Sequence, residues 1–486
     1  MRLHTLKPAY PGQPLRALLT IPLPCGGRRH CGNCGVLVRG DVSPVSPEEA
    51  ELLKKYGKPH EGFAWRLACF CECTGPAEIL LPDDAPITAD AQGDLPDYDG
   101  NTPGTCGLAI DIGTTTITLA AYRFPGKEPA AIISEMNRQG AFGADVISRI
   151  DPNNHGDHGA LHACVRAQLR DMLARTGIAP GDVSRAVVTG NTAMLHFFAG
   201  LDPAGMGRHP FTPQSLFGEE IAWDLLPGAC VYLPPCVTAF VGADITCGAL
   251  AAGFTEGKGN VLLVDVGTNG EMLLRTGDTL RCCSVAAGPA FEGAEISMGM
   301  PALPGAIDKV WLESGQPRWR ALAGAPVRGI CGTGLISALR AFLELGALDE
   351  SGAIEDDLRL PGSGVTITQR DVRKLQLVKA AVAAGIITML EEAGRAPDEI
   401  ERLWLAGGFG SYLDPRDAAA IGMIPQALAS RAFAGGNLAL RGAETLLFSK
   451  ALRAQAQRLA RETTEIPLAA HRVFQEAFVE EMGFPA

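Results

Sequence analysis

Two stretches decide the fold: Leu108-Ala109-Ile110-Asp111-Ile112-Gly113-Thr114-Thr115-Thr116 and Leu262-Leu263-Val264-Asp265-Val266-Gly267-Thr268-Asn269-Gly270. Each is an apolar run of the kind that fills a buried strand, then an aspartate, one more apolar residue and a Gly-Thr turn, and each continues into a second strand-like stretch. The two aspartates stand 154 residues apart. Self-similarity on that scale predicts a duplicated α/β domain and argues against a short-period solenoid. Helical patterns fill the intervals, at Ala160 to Thr176 and Gln369 to Ala393. In the second, Val372, Leu375, Val378, Val382, Ile386 and Met389 recur three and four residues apart. Gly177 and Gly394 are placed to end these helices. Alternating strands and helices put ligands at the carboxyl ends of the strands.

A strand ending in Asp before a Gly-Thr turn suits phosphate. Glycine lets the backbone come close, amides and hydroxyls donate to phosphate oxygens, and the Asp holds Mg2+ through water or orients an attacking water. Gly113, Thr114 and Thr115 in the first copy, and Gly267, Thr268, Asn269 and Gly270 in the second, are the candidate phosphate-binding residues, with Asp111 and Asp265 as the catalytic pair. A third element, Leu403-Trp404-Leu405-Ala406-Gly407-Gly408-Phe409-Gly410-Ser411-Tyr412, reads as a strand ending in a glycine-rich turn, where Gly407, Gly408 and Gly410 let an adenosine lie against the backbone. Gly190-Asn191-Thr192 and Gly332-Thr333-Gly334 follow strand-like runs; each lines the cleft or is a plain strand-to-helix turn. Asp244 and Asp145 read equally as catalytic or Mg2+-linked carboxylates and as helix N-caps. Glu271 and Glu295 are similarly open. His196 reads as a packed core histidine, and Cys164, Cys230, Cys236, Cys247, Cys282, Cys283 and Cys331 as small buried hydrophobes.

The chain has 486 residues, about three domains' worth at about 150 per domain. No run of 18 or more apolar residues crosses a bilayer, and a net charge of −12 gives no support for coating nucleic acid. There are 58 Gly and 14 Cys, and six of the cysteines lie between residues 25 and 73. Clustered cysteines in a long chain point to metal or redox work in place of a disulfide framework. The stretch after Met1 lacks an h-region and a small-residue cleavage site, so a cytoplasmic protein with reduced thiols is expected.

Cys25, Cys31 and Cys34 share one loop with four glycines, and Cys69 follows 35 residues later. This three-plus-one pattern is close to the plant-type spacing that holds a [2Fe-2S] cluster; structural zinc, or unligated thiols or a disulfide, are the competing readings. Cys71 is the alternative fourth ligand, because an alternating strand Cys69-Phe70-Cys71-Glu72-Cys73 would put all three thiols on one face. Pro82 to Thr105, rich in Pro, Asp, Gly and Thr, has the composition of a flexible linker. The domains expected are therefore 1–82 with the cluster, trimmed at its N-terminus; a linker, 83–105; and an ATPase, 106–486, with lobes of 106–255 and 256–486.

The order phosphate loop, phosphate loop, adenosine loop resembles the superfamily of acetate and sugar kinases, Hsp70 and actin. With the cysteine loop, Arg66-Leu67-Ala68-Cys69, Gly143-Ala144-Asp145-Val146-Ile147-Ser148-Arg149-Ile150, Gly190-Asn191-Thr192-Ala193-Met194, Asp265 to Glu271, Gly288-Pro289-Ala290-Phe291-Glu292-Gly293 and Leu405 to Gly410, the whole chain resembles the reductive activators of corrinoid enzymes. That resemblance implies an α/β protein: a small α+β ferredoxin-like [2Fe-2S] domain followed by a two-lobed, duplicated ATPase domain. It implies ATP-dependent, one-electron reduction of Co(II) to Co(I) in a corrinoid protein, with the cluster, ATP and Mg2+ as cofactors. The partners implied are a corrinoid protein of a methyltransferase system, an upstream reductant and, as one option, a second copy of the chain, with no nucleic acid or membrane. Asp111 follows the linker almost at once, so the middle domain of longer members is expected to be missing. The alternatives are a small-molecule kinase with a regulatory cluster and a plain electron carrier with a degenerate nucleotide domain.

Overall fold

The computed structural model describes residues 2–18, 29, 32, 34–54, 59, 62–81, 94–100, 104–143, 145–151, 158–293, 295–407 and 413–485. Near the N-terminus, β1 (Arg2–Leu6), β2 (Gln13–Pro14), β3 (Gly35–Val42), β4 (Ala64–Leu67) and β5 (Glu72–Leu81) form an antiparallel sheet in the order β1-β5-β3-β4, with β2 also on β5. Arg66 and Glu49 form a buried pair there: Nη2 meets Oε2 at 2.8 Å, Nε meets Oε1 at 3.0 Å, and Leu67 N–H also donates to Oε1. The pair fixes the helix Pro47–Leu53 against the turn that presents Cys69.

The two quoted stretches are the central strands of two further sheets. The first contains β6 (Cys106–Ile112), β7 (Thr116–Arg123), β8 (Pro129–Met136), β9 (Val183–Gly190), β10 (Glu219–Ile221) and β11 (Cys230–Leu233), in the order β10-β11-β9-β6-β7-β8. The chain continues through β12 (Val261–Val266), β13 (Gly270–Thr276) and β14 (Thr279–Val285), then a small sheet of β15 (Ala306–Glu313), β16 (Gln316–Ala321) and β17 (Gly329–Ile330), and the pair β18 (Leu358–Arg359) and β19 (Thr366–Ile367). With β20 (Arg402–Ala406), β21 (Ala432–Gly436) and β22 (Thr463–Glu465), the second large sheet runs β21-β20-β12-β13-β14-β22. Five strands correspond in order and sense: β11-β9-β6-β7-β8 and β21-β20-β12-β13-β14, each with two parallel pairings followed by two antiparallel ones. The duplication expected from the sequence is thus present in the topology.

The central strands are apolar at successive positions because both of their faces are covered. Leu108, Ile110 and Ile112 enter one core while Ala109 enters another; Leu262, Val264 and Val266 do the same opposite Leu263. The expected helices span His158–Arg175 and Gln369–Glu392, with Gly177 and Gly394 just beyond them in the left-handed region. The helix Leu438–Phe448 joins the halves: it packs on β6 and β9 and crosses the helix Ala243–Ala251 so closely that a Cβ at Gly442 would collide with the Cys247 carbonyl.

One expectation needs correcting. Residues 94–100, read as flexible linker, are strapped to the first lobe: Leu95 is buried, Tyr98 stacks on Phe124 at 3.9 Å, and Asp99 Oδ1 accepts from Arg185 at 2.6 Å. Their composition is linker-like, but two apolar side chains find a groove beside Phe448. Residues 82–93 and 101–103 of that segment lie outside the described residues. Among the described residues no helix is long and apolar enough to cross a membrane.

Candidate functional site

Both Gly-Thr turns open into one cleft, with about 1300 Å3 of empty space counted out to its open mouth. In the first turn Gly113 N–H donates to the Thr116 carbonyl at 2.9 Å, and Asn137 Nδ2 donates to the Gly113 carbonyl at 2.8 Å. Arg149, 1% exposed, braces the turn from behind through Nη2 to the Thr114 carbonyl at 2.7 Å, while Nε holds the Gly143 carbonyl. Asn191 caps the helix Thr192–Ala199 with its oxygen and donates Nδ2 to Thr114 Oγ1 at 3.0 Å. In the second turn Gly267 N–H donates to the Asn269 carbonyl at 2.9 Å. Glu292 connects the turns: its Oε2 accepts from Thr115 Oγ1 at 2.7 Å and from Thr268 Oγ1 at 2.8 Å.

Asp111, Asp244, Asp265, Glu271 and Glu292 all line this cleft, and among its described lining residues there is no Lys or Arg. Burial pushes the Asp111 carboxyl up to about 7; an Asn437 hydrogen bond at 2.8 Å works against this, and the Asp244 charge adds to it. Burial likewise pushes Asp244 up to about 6 and raises Asp265, Glu271 and Glu292. Acidic groups crowded away from water, with Arg149 behind the first turn as a basic neighbour of Glu292, favour a cation among them. No three His, Cys, Asp or Glu side chains among the described residues make a ready-made metal site. Mg2+ usually takes one or two carboxylates with waters and phosphate oxygens, so this donor set fits a cation that arrives with a phosphorylated ligand.

Of the sequence candidates, Asp111, Gly113, Thr114, Thr115, Asp244, Asp265, Gly267, Thr268, Asn269, Gly332, Thr333 and Gly407 are brought together here. Gly332 and Thr333 open the 13-residue helix Gly332–Glu344, whose N-terminus faces the cleft. Gly407 has φ of 89°, and a Cβ there would lie 2.3 Å from Asp265 Oδ1, so only glycine lets the third loop pass the aspartate. Asp244 is inside the first turn of its helix, which Gly242 caps.

Other candidates fall elsewhere. Asp145 is a helix cap, not a cleft carboxylate: Oδ1 accepts from Ser148 N–H at 2.7 Å, and the Ser148 hydroxyl completes the capping box. Gly270 starts β13 against Val285, off the cleft wall. Glu295 is exposed and paired with Lys374 at 2.7 Å. His196 is buried, its Nδ1 on the Thr192 carbonyl at 2.7 Å. Gly408 and Gly410 lie outside the described residues. Asn437, which links Asp111 to the cap of the helix Leu438–Phe448, was missed; its signal was Gly436-Asn437 after an apolar strand, a repeat of Gly190-Asn191. Glu292 carried no signal of its own beyond its motif.

In the N-terminal sheet, Cys34 Sγ and Cys69 Sγ lie 3.3 Å apart, and Arg29 Nε donates to the Cys69 carbonyl at 3.0 Å. Cys25 and Cys31 lie outside the described residues. Residues 68–70 form a turn, with Cys71 N–H on the Leu67 carbonyl, and β5 begins only at Glu72, so the expected single-faced strand through Cys69, Cys71 and Cys73 does not form. Burial pushes the Cys71 thiol up to about 12 and raises Cys73 as well.

Two sheets of one order, closing a cleft with a Gly-Thr turn from each, define a protein of the acetate and sugar kinase, Hsp70 and actin class. Residues 259–486 match the family described as the C-terminal domain of RACo, the ASKHA domain, and residues 106–257 match the RACo middle region. The chain is 32% identical over 418 residues to the corrinoid activation enzyme RamQ of Eubacterium limosum, covering 78% of this chain and 70% of that one. It is 27% identical over 422 residues to the Co(II) methylated amine-specific corrinoid protein reductase of Methanosarcina barkeri, covering 78% and 77%. A solved reductive activator for corrinoid, iron-sulfur protein matches with a TM-score of 0.73 at 26% identity, over 98% of this chain and 94% of that one. The chain belongs to this family of reductive activators of corrinoid proteins. The middle region expected to be missing is present: it is the segment read from sequence as the first lobe.

Proposed function

We propose that this chain returns the cobalt of a corrinoid protein from Co(II) to Co(I), with nucleotide binding in the cleft coupled to the transfer. Kinship to a reductive activator along 98% of the chain carries this reading. A [2Fe-2S] cluster, held by Cys25, Cys31, Cys34 and Cys69, would supply one electron at a time. The adjacent Cys34 and Cys69 thiols support that ligand set.

In the cleft, Asp111 and Asp265 would hold Mg2+, and Thr114, Thr115, Thr268 and Asn269 would donate to phosphate oxygens. Gly407 seats the nucleoside side. Because the two turns belong to different lobes, a ligand that contacts both favours the closed arrangement. Such a ligand changes the equilibrium of the reduction only if closed and open states differ in their grip on the corrinoid partner.

The test is anaerobic. Purified protein, a chemical reductant and a candidate corrinoid protein are mixed with and without Mg·ATP, and the Co(II) electron paramagnetic resonance signal is followed. Loss of the signal should need ATP and should fail in Asp265→Ala. Equal rates without ATP, or in that variant, reject the coupling.

A further inference from the structure

Glu292 ends the short helical turn Pro289–Glu292. Gly288 N–H ties that turn to the Thr268 carbonyl at 2.8 Å, and Gly293 follows at φ of 80° with no room for a Cβ against the Met300 backbone. The carboxylate therefore has a fixed base in the second lobe, from which it reaches Thr115 in the first. A hydroxyl has one proton to donate. Thr115 and Thr268 both commit theirs to the same oxygen of Glu292. The positive charge acting on that carboxylate is Arg149, behind the first turn. A group that holds a phosphate-type donor from each of two turns already occupies an anion position. A phosphate oxygen arriving there takes donors that Glu292 holds and brings like charge toward it.

We propose that Glu292 is a specificity-determining residue that makes the cleft distinguish a nucleoside triphosphate from a diphosphate, by holding Thr115 and Thr268 until a terminal phosphate displaces it. The inference rests on the nucleotide reading of the cleft. A ligand that engages only the second turn leaves the Thr115–Glu292 tie between the lobes in place. One that engages both turns replaces both hydrogen bonds and frees the lobe contact, so Glu292 converts the presence of the terminal phosphate into a change between lobes.

The experiment is calorimetric titration of the full chain with Mg·ADP and with Mg2+ plus the non-hydrolysable analogue AMPPNP. In Glu292→Gln the amide still accepts from the hydroxyls but carries no charge, so affinity for AMPPNP relative to ADP should rise about tenfold. Glu292→Asp keeps the charge but, one methylene shorter on the same fixed base, withdraws from Thr115, so its ratio should fall between those of the wild type and Glu292→Gln. An unchanged ratio in Glu292→Gln overturns the proposal, as does an equal loss of both affinities together with melting temperature in both variants, which marks a mere brace. Hydrogen exchange of residues 288–293 in the wild-type protein needs no variant: AMPPNP should change it and ADP should not, and identical exchange with both overturns the proposal. If the wild-type chain binds neither nucleotide, the reading of the cleft falls first; binding with an unchanged ratio removes only the role of Glu292.

Discussion

Asp111→Asn tests whether the cleft is built to hold a cation. In the cation-free protein the Asp111 carboxyl is raised from 3.8 to about 7, chiefly by burial and further by the Asp244 charge. Between those two values the folded chain keeps a proton that the unfolded chain has released, so stability falls as pH rises from about 4 to about 7 and levels off above it. A shift of that size costs about 4 kcal/mol once the group is fully ionised. That is a ceiling, because the cleft mouth admits water and Asp244 shares the charge. Asparagine has the same shape and no charge, and its oxygen still accepts from Asn437. In EDTA, the wild-type melting temperature should therefore fall between pH 5 and pH 8 by more than that of Asp111→Asn, at about 2–4 °C per kcal/mol for domains of 150–250 residues. Asp265 and Glu271, raised in the same direction, leave the variant a residual slope. Millimolar Mg2+ should recover most of the loss in the wild type and little in the variant. Equal losses from pH 5 to pH 8 would refute the burial argument, and equal rescue by Mg2+ would refute the assignment of Asp111 as the cation's partner.

Two further outcomes follow from single contacts. Arg66→Met leaves the buried Glu49 carboxylate without its partner, which should cost about 3–5 kcal/mol by denaturant unfolding; because this pair holds the Cys69 turn, iron retained per chain should fall as well. Asn437→Ser keeps a capping oxygen but loses the amide that donates to Asp111, whereas Asn437→Ala loses both. The alanine variant should be less stable than the serine variant by about 1 kcal/mol, while both weaken nucleotide binding to a similar extent by calorimetry.

The legible parts of this protein were local ones. A buried strand announces itself by a continuous apolar run, a phosphate turn by Asp and Gly-Thr, and a cluster loop by cysteines at short spacing among glycines; each signal lies within about ten residues. Asp244 and Asp145 show where such signals stop. Both are aspartates near a helix start after glycine and alanine, and nothing nearby says that one faces the cleft while the other caps a helix. The linker misread has the same origin, since Leu95 and Tyr98 are two apolar residues in a polar segment until Phe124 and Phe448 are brought alongside.

By itself the sequence determined the duplicated α/β architecture, the two Gly-Thr turns, the cysteine pattern and the family they belong to, because periodicity and turn chemistry act between near neighbours. Only the tertiary structure decided which carboxylates share a cleft, that Asn437 reaches Asp111 across 326 residues, and that one oxygen of Glu292 holds a threonine from each lobe, with Thr115 177 residues away. Those contacts exist because two sheets of matching order are closed against each other by packed helices, and packing brings together residues between which no local pattern runs.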